Sequence, residues 1–223
     1  MEMYHLINRG VDKRDVFMDD RDRVRFIRDL FLFNDKNYVC STTRKDKNTG
    51  KTELITKRDL LVRIHAFCLM PNHYHLLVSA VNDNFENISL FMKKVNKGYT
   101  QAFNVRHERS GALWQGKYKK VLIEHDSHFL YIPYYIHCNP LDLIMPEWRK
   151  GDIKNTKKAL AYLHNYKWSS HLDYLNVRNF TSVIYKDVIG DMLGTPKHYQ
   201  KEILNIITNE KLVKNSDMIE MHK

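Results

Sequence analysis

The sequence predicts an α+β fold, in which an antiparallel β-sheet carries helices on one face. Two kinds of segment support this prediction: short apolar runs that end at turn residues, and longer segments with apolar residues at helical spacing. These strands and helices follow one another in the order βα, β, βα, β, α. A hydrophobic fraction of 43% is ordinary for a globular chain of 223 residues, so we expect one well-packed core.

The first strand is predicted at residues 4–10, where a short apolar run closes at a glycine. A helix follows to about residue 33, and either Asp19 or Asp20 can cap its first turn. The apolar stripe of this helix is predicted to consist of Val24, Ile27, Leu30 and Phe31.

The next segment is predicted to form a connection after the first helix and then a β-hairpin. Residues 34–58 are polar and rich in lysine, which favours a loop or an exposed hairpin. Strands at residues 60–69 and 73–80 flank the turn Met70-Pro71-Asn72, which is short enough to join them in antiparallel order.

The third part of the chain is predicted to form a helix, a strand and a second helix, in that order. Residues 84–106 follow helical spacing, and 116–124 form a basic strand. Asp126 or Ser127 can cap a last helix that ends before Pro140. The apolar positions of the first of these helices are Ile88, Phe91, Met92, Val95, Tyr99 and Phe103.

This order of elements is that of a ferredoxin-like (RRM-like) sandwich. We therefore expect residues 1–150 to form one catalytic or binding domain of this kind. Residues 151–223 read as helices and loops, and we expect a helical C-terminal extension that packs on the domain or contacts its ligand.

Charge and cysteine content narrow the classes of function. The 36 Lys and Arg residues exceed the 26 Asp and Glu by ten, which favours a polyanionic partner, nucleic acid first. Three widely spaced cysteines without a C-x-x-C pair argue against a disulfide framework and are read as core residues. No signal peptide or membrane-length apolar segment is apparent, so we expect a cytoplasmic protein without a membrane partner.

The most informative motif is His73-Tyr74-His75, directly after the Pro-Asn turn. Alternate residues of a strand point to the same face, so two imidazoles would lie side by side. Such a pair can share one divalent metal ion, although a lone His-x-His on an apolar strand is more often structural.

A second motif decides between these two interpretations. Tyr135 and Asn139 are four residues apart and share one face of the predicted helix. If that face covers the histidines, the site holds two imidazoles, an amide oxygen and a phenol, and the phenol is the natural nucleophile. A metal would polarise a phosphodiester under attack. Alternatively, the tyrosines form an aromatic face of the core.

Five motifs in this order resemble the single-tyrosine HUH transposases, and most of all their REP-associated branch. They are Tyr4-His5-Leu6-Ile7-Asn8-Arg9-Gly10, His65 through His75, Gly111 through Tyr118, Tyr135-Ile136-His137-Cys138-Asn139-Pro140 and Trp168-Ser169-Ser170. The resemblance covers roughly residues 4–140, and more loosely the tail to about 207. It implies that residues 1–150 form an HUH-type transposase or endonuclease domain, and that the helical extension at 151–223 packs on this domain or contacts DNA. It implies a DNA transposase that cleaves and rejoins hairpin-containing single-stranded DNA through a 5′-phosphotyrosine.

By this resemblance Tyr135 is the nucleophile, and His73, His75 and Asn139 hold Mg²⁺ or Mn²⁺. His5, His65 and His137 are candidates for hydrogen bonds that support the ligands. The enzyme is expected to act as a monomer or a homodimer. The residues expected to contact DNA are Arg9, Lys93, Lys94, Lys97, Trp114, Gln115, Lys117, Lys119 and Lys120. Alternatively, the lysines are a solvated face and Trp114 is buried against the sheet.

The chain departs from the family pattern in two places. The residue before the nucleophile is more often arginine, but here Tyr134 supplies a second phenol. Adjacent helical residues diverge by about 100°, and Asn139 shares its face with Tyr135, which favours Tyr135. The family's usual Arg-Ala-Gly after Asn-Pro is here replaced within residues 141–145. Pro133 is expected to kink or restart the helix.

Three other functions compete with this interpretation. The first is a catalytically weak or inactive DNA-hairpin-binding protein derived from a transposase, although all four expected active-site groups are present. The second is an RRM-like RNA-binding module, which should carry paired aromatic residues where the histidines stand. The third is a rolling-circle replication initiator, which normally needs additional domains or a second spaced tyrosine.

Overall fold

The computed structural model describes residues 1–37, 43–45, 52–54 and 58–209, and within 43–45 and 52–54 the backbone alone. The strands in these ranges are β1 (Met3–Arg9), β2 (Thr43–Lys45), β3 (Thr52–Leu54), β4 (Val62–Met70), β5 (His73–Ala80) and β6 (Lys119–Leu122). The helices are α1 (Asp20–Leu32), α2 (Glu86–Arg106), α3 (Asp126–Cys138), α4 (Thr156–Asn165), α5 (His171–Tyr174), α6 (Ile189–Leu193) and α7 (Pro196–Thr208).

The main sheet has the strand order β4-β5-β1-β6, and every neighbouring pair is antiparallel. Helix α1 connects β1 towards β4, and α2 connects β5 to β6. This is the ferredoxin-like order, so the predicted fold class is confirmed. The predicted hairpin is also present, with Met70 opposite His73 across a two-residue turn.

The two faces of the sheet are covered by different helices. On one face, Leu6, Leu76 and Val78 share a core with residues of α1 and α2. On the other face, Cys68 and Leu77 share a core with α3 and the C-terminal helices. Because side chains alternate along a strand, His73 and His75 fall on the same face as Leu77, beneath α3.

Helix α1 begins as expected but buries a different stripe. The Asp19 carboxylate caps it by accepting the backbone N–H groups of residues 21 and 22. Phe26, with Ile27 and Leu30, is buried, whereas Val24 is 52% exposed. The predicted stripe was wrong at Val24, because at 100° per residue it lies about 200° around the helix from Phe26.

Helix α3 continues through Pro133, so the predicted restart of the helix at this residue was wrong. Proline removes only the hydrogen bond to the carbonyl four residues earlier, and the helix continues on either side of it. Neither predicted cap is used: the N-cap is His125, which makes no side-chain capping bond.

The C-terminal segment packs against α3 and extends the edge of the sheet. Its buried residues, Ile153 and Ile203 among them, belong to the same core as Tyr134. The Trp-Ser-Ser segment runs antiparallel to the edge strand β4: the Leu69 N–H donates to the Trp168 carbonyl and the Ser170 N–H to the Phe67 carbonyl. This segment therefore satisfies backbone groups that an edge strand would otherwise expose.

Strands β2 and β3 pair antiparallel, with Thr43 opposite Leu54, as the hairpin alternative for residues 34–58 predicted. Cys68 and Cys138 are buried free thiols, whereas Cys40 lies outside the described residues. None of the helices within the described ranges is long and apolar enough to cross a membrane.

Candidate active site

The turn that presents His73 is held by the segment following β1. The Gly10 N–H donates to the Asn72 carbonyl at 2.8 Å, and the Val16 N–H donates to the Pro71 carbonyl at 2.8 Å. A Cβ atom at residue 10 would lie 2.3 Å from the Arg14 carbonyl oxygen, so only glycine allows this close approach. The motif at residues 4–10 therefore contacts the turn of the motif at residues 65–75, next to the histidine pair.

The two histidines lie side by side, with ring centroids 5.0 Å apart. The Asn72 side-chain oxygen lies 2.6 Å from His73 Nδ1 and can only accept, so the proton is on Nδ1 and His73 Nε2 keeps its lone pair. Nδ1 of His75 lies 2.9 Å from Nε2 of His5. His75 Nε2 is buried and has no hydrogen-bond partner in the described part of the chain.

Burial keeps these imidazoles neutral. It lowers the pKa of His73 to about 4 and that of His5 to about 3. The pKa of His75 is lowered well below 6.5 by burial and by the neighbouring His73 and His5. Since a metal binds the neutral ring, both imidazoles are in the charge state that a divalent ion requires.

The two adjacent tyrosines of α3 face different parts of the molecule. The Tyr135 ring lies 5.8 Å from His75 and 6.1 Å from His5, measured between ring centroids. The Tyr134 ring stacks on Tyr199 of α7 at 5.6 Å, and burial raises its pKa to about 12. Only Tyr135 therefore belongs to the histidine cluster.

Asn139 lies at the end of α3 and is fully buried. Its Nδ2 donates to the backbone carbonyl of Tyr135 at 2.7 Å, and its Oδ1 accepts from Arg149 at 3.1 Å. An amide oxygen has two lone pairs, so the contact with Arg149 leaves one acceptor site on Oδ1.

Arg149 is a member of the site that the sequence motifs did not indicate. Its Nη1 donates to the Tyr135 phenol oxygen at 3.2 Å, and its guanidinium lies 5.2 Å from the centroid of that ring. It stands in a 3-10 turn at Pro146–Lys150, ten residues beyond Asn139. Sequence reasoning missed it because it lies outside all five motifs.

Asp142 holds this arginine in place. Its carboxylate accepts hydrogen bonds from Arg149 Nε at 2.8 Å and Nη2 at 2.6 Å, and another from the Trp148 indole at 2.7 Å. Burial lowers the pKa of Arg149, but the hydrogen bonds and charges of Asp142 and Tyr135 together outweigh it, and the net shift is upward. The guanidinium is therefore a fixed positive charge beside the phenol.

The predicted metal ligands fit a divalent ion in the chemistry of their donors. His73 offers an Nε2 lone pair, and His75 Nε2 is buried without a hydrogen-bond partner in the described part of the chain. Asn139 offers an amide oxygen at the C-cap of the helix that carries Tyr135. No cluster of three or more His, Cys, Asp or Glu side chains that could hold a metal occurs within the described ranges.

The other two candidate histidines do not join the site. His65 pairs with the Ser79 hydroxyl at 2.8 Å. His137 lies between Ser170 at 2.7 Å and Tyr199 at 2.8 Å, in a buried network beneath the C-terminal helices.

Some of the predicted DNA contacts lie beside the histidines. Arg9 stands opposite His73 in the sheet, and its carbonyl accepts the Gln115 N–H at 2.8 Å. Lys119 stands opposite Ile7, which by strand alternation shares the face of the histidines. Lys117 is exposed just before β6.

Other predicted contacts lie on the far face. Lys93 and Lys97 are exposed on α2, which packs against the opposite side of the sheet. Lys94 on the same helix donates to the Asp35 carbonyl at 2.6 Å. The alternation of β6 also directs Lys120 to that side, where its ammonium lies 4.8 Å from the centroid of the Tyr4 ring.

Trp114 was expected either to stack on a base or to be buried, and it is only 9% exposed. Its ring packs against Phe26, Tyr74 and Tyr99 in the core beneath α1 and α2. The structure corrects its assignment as a DNA contact, because a ring enclosed by three others has no face for a base.

Comparisons with known proteins find a matching family model and a similar solved structure. A search of curated proteins finds no match to this chain. One similar solved structure is described as the "Structure of the REP associates tyrosine transposase bound to a REP hairpin"; it has 14% sequence identity, a TM-score of 0.48, and coverage of 80% of this chain and 82% of that one. Residues 42–139 match the family model "Transposase IS200 like". This part of the chain, which includes the histidine pair, Tyr135 and Asn139, is therefore similar to the IS200-like transposases.

Proposed function

We propose that the protein is a metal-dependent endonuclease and strand transferase for single-stranded DNA, with Tyr135 as its nucleophile. One observation carries the proposal: the Tyr135 ring adjoins His75 at 5.8 Å, while its neighbour Tyr134 stacks on Tyr199 instead. A phenol beside two neutral imidazoles with available Nε2 atoms is a suitable arrangement for metal-assisted attack on a phosphodiester.

In this reaction the Tyr135 oxygen loses its proton to solvent and forms a bond to phosphorus. The bond from phosphorus to the 3′ oxygen breaks, and that oxygen leaves as a 3′-hydroxyl after taking up a proton. Mg²⁺ or Mn²⁺ at His73, His75 and Asn139 would polarise the phosphodiester. The product is a 5′-phosphotyrosine, and a 3′-hydroxyl reverses the step when strands are rejoined.

The family acts on DNA, and the charge of this chain supports such a partner. Its formal charge is +10, and Arg9 and Lys119 lie on the sheet face of the histidines. We infer that single-stranded DNA with a hairpin binds across this face. We also infer that the C-terminal extension stabilises α3 on the side away from the histidines, through the contact of Tyr199 with Tyr134.

The test is covalent capture of DNA by the purified chain. End-labelled single strands from the flanks of its own gene are incubated with Mn²⁺ or with EDTA, and the products are separated on a denaturing protein gel. Tyr135→Phe and Tyr134→Phe are a matched pair, since each removes one phenol oxygen from α3. We expect a Mn²⁺-dependent adduct that disappears only in Tyr135→Phe. An adduct that persists in Tyr135→Phe would refute the assignment of the nucleophile.

One observation favours a second candidate, the catalytically weak hairpin-binding protein. Oδ1 of Asn139, a proposed metal ligand, accepts a hydrogen bond from Arg149. If the Arg149 guanidinium excludes the metal ion, the chain binds hairpin DNA tightly. It then forms no covalent adduct with DNA from either flank of its gene, whether Mg²⁺ or Mn²⁺ is present. The same gel, read beside a binding titration, separates the two functions.

A further inference from the structure

We propose that Arg149 is a catalytic residue that binds the scissile phosphate beside Tyr135. The inference rests on the proposed function and adds to it a phosphate-binding group outside the five sequence motifs.

The position of the guanidinium is the first argument. Arg149 Nη1 lies 3.2 Å from the Tyr135 phenol oxygen, the atom that would bond to phosphorus. The non-bridging oxygens of a phosphate on that atom fall within hydrogen-bonding reach of the same guanidinium. Arginine donors match phosphate oxygens in geometry and charge, and such charge-assisted bonds are about twice as strong as neutral ones.

The orientation of the guanidinium is the second argument. Asp142 engages Nε and Nη2, on the side away from Nη1. The guanidinium also lies 4.8 Å from the centroid of the Trp148 ring, which is fully buried. Because the carboxylate and the indole hold it, the group need not reorganise when the phosphate arrives, which is the condition for effective electrostatic stabilisation.

The proton balance of the reaction is unchanged by this assignment. Tyr135 still forms the bond to phosphorus and the 3′ oxygen still departs, while Arg149 neither gives up nor takes a proton. It stabilises the negative charge on the non-bridging oxygens during the transfer and in the phosphotyrosine.

A purely structural role is the main alternative. Arg149 also bridges Asn139 and Asp142, so its loss could displace α3 without any effect on phosphate binding. The two roles differ in one property: only a phosphate-binding group is sensitive to the charge of the scissile phosphate.

The experiment therefore varies the residue and the phosphate together. Single-turnover adduct formation with Mn²⁺ is measured on an oligonucleotide with a normal diester at the cleaved position. It is also measured on each of the two methylphosphonate stereoisomers, which replace one charged oxygen by methyl. The variants are Arg149→Ala, Arg149→Lys and, as a control of equal charge change, Lys150→Ala at the exposed neighbouring residue.

On the diester we expect Arg149→Ala to slow adduct formation about 100- to 1000-fold, as for loss of one donor in an oxyanion site. The rate for Arg149→Lys should lie between those of Arg149→Ala and the unmodified protein. The rate for Lys150→Ala should equal that of the unmodified protein. On one methylphosphonate isomer, the difference between Arg149→Ala and the unmodified protein should shrink to tenfold or less. Equal losses on all three substrates would overturn the proposal in favour of a structural role.

A second readout is independent of metal and of activity. Binding of the same oligonucleotides is measured in EDTA, where we expect the methylphosphonate to weaken binding by the unmodified protein but not by Arg149→Ala. Equal weakening in both proteins would contradict a contact with that phosphate. Thermal unfolding of each variant checks that the fold is retained. If the unmodified protein forms no adduct, the proposed function fails; if it does and Arg149→Ala forms it equally fast, this inference alone fails.

Discussion

Tyr199→Phe removes one oxygen atom from the centre of a buried hydrogen-bond network. The Tyr199 hydroxyl lies 2.7 Å from His171 Nδ1 and 2.8 Å from His137 Nδ1, and His137 Nε2 lies 2.7 Å from the Ser170 hydroxyl. The Ser170 oxygen in turn accepts the Phe67 N–H at 2.9 Å. This network joins α7, α3 and the Trp-Ser-Ser segment to strand β4.

The expected loss of stability follows from the buried polar atoms that the substitution leaves without hydrogen bonds. His137 and His171 are almost fully buried, and each would keep a ring nitrogen without a partner. An unsatisfied buried polar group costs about 1–3 kcal/mol, so we expect Tyr199→Phe to lower the free energy of unfolding by about 2–5 kcal/mol. For a chain of this size that corresponds to a Tm lowered by roughly 5–15 °C.

Urea unfolding followed by far-ultraviolet circular dichroism measures this difference. The matched control is Tyr134→Phe, because Tyr134 stacks on the same ring and its hydroxyl makes no hydrogen bond among the described residues. We expect this control to change the free energy of unfolding by less than about 0.5 kcal/mol. If the two variants lose equal stability, packing and not the network holds the C-terminal helices, and the reasoning is refuted.

Three further predictions concern pH, metal and DNA. Burial lowers the pKa of four histidines to about 3 or 4, namely His5, His65, His73 and His171. Below pH 6.5 the unfolded chain binds protons that the folded chain does not. Stability should therefore fall between pH 7 and 5 by about 2 kcal/mol per site, and a urea midpoint that is constant over this range would contradict it. His5→Ala should weaken Mn²⁺ binding about 10- to 100-fold by calorimetry, since His5 orients His75, while His65→Ala should not. Lys119→Ala should lower the salt dependence of single-stranded DNA binding by about 0.7 in log–log slope, and Lys93→Ala, on the far face, should leave it unchanged.

The pattern of the sequence was sufficient to predict the ferredoxin-like sheet. Strand β5 was predicted at residues 73–80 and the structure places it at His73–Ala80. Helix α2, predicted from residue 84, begins at Glu86. Strand β5 is recoverable because both of its faces are buried, so it reads as a short apolar run that begins after a turn. Helix α2 is recoverable because burial of one face imposes a period of 3.6 residues on its apolar side chains. Val24 was misassigned because two apolar stripes are possible on α1, and only contact with the sheet decides between them.

The site was partly predictable for the same reason. His73 and His75 share a strand face, and Tyr135 and Asn139 share a helix face, so short-range geometry alone grouped each pair. Whether the two pairs meet depends on how α3 crosses the sheet, which no local period records. The burial of Trp114 likewise depends on three rings from distant segments.

The sequence by itself determined which chemistry was available: two imidazoles on one strand, a phenol and an amide on one helix, and a basic chain suited to DNA. The tertiary structure alone decided that Tyr135 faces the histidines while Tyr134 faces Tyr199, and that Arg149 stands beside the phenol. The physical reason is that the face on which a side chain lies in a strand or helix depends only on residues close to it in the sequence. By contrast, the contact between Arg149 and Tyr135 is set by the packing of a 3-10 turn against a helix fourteen residues earlier.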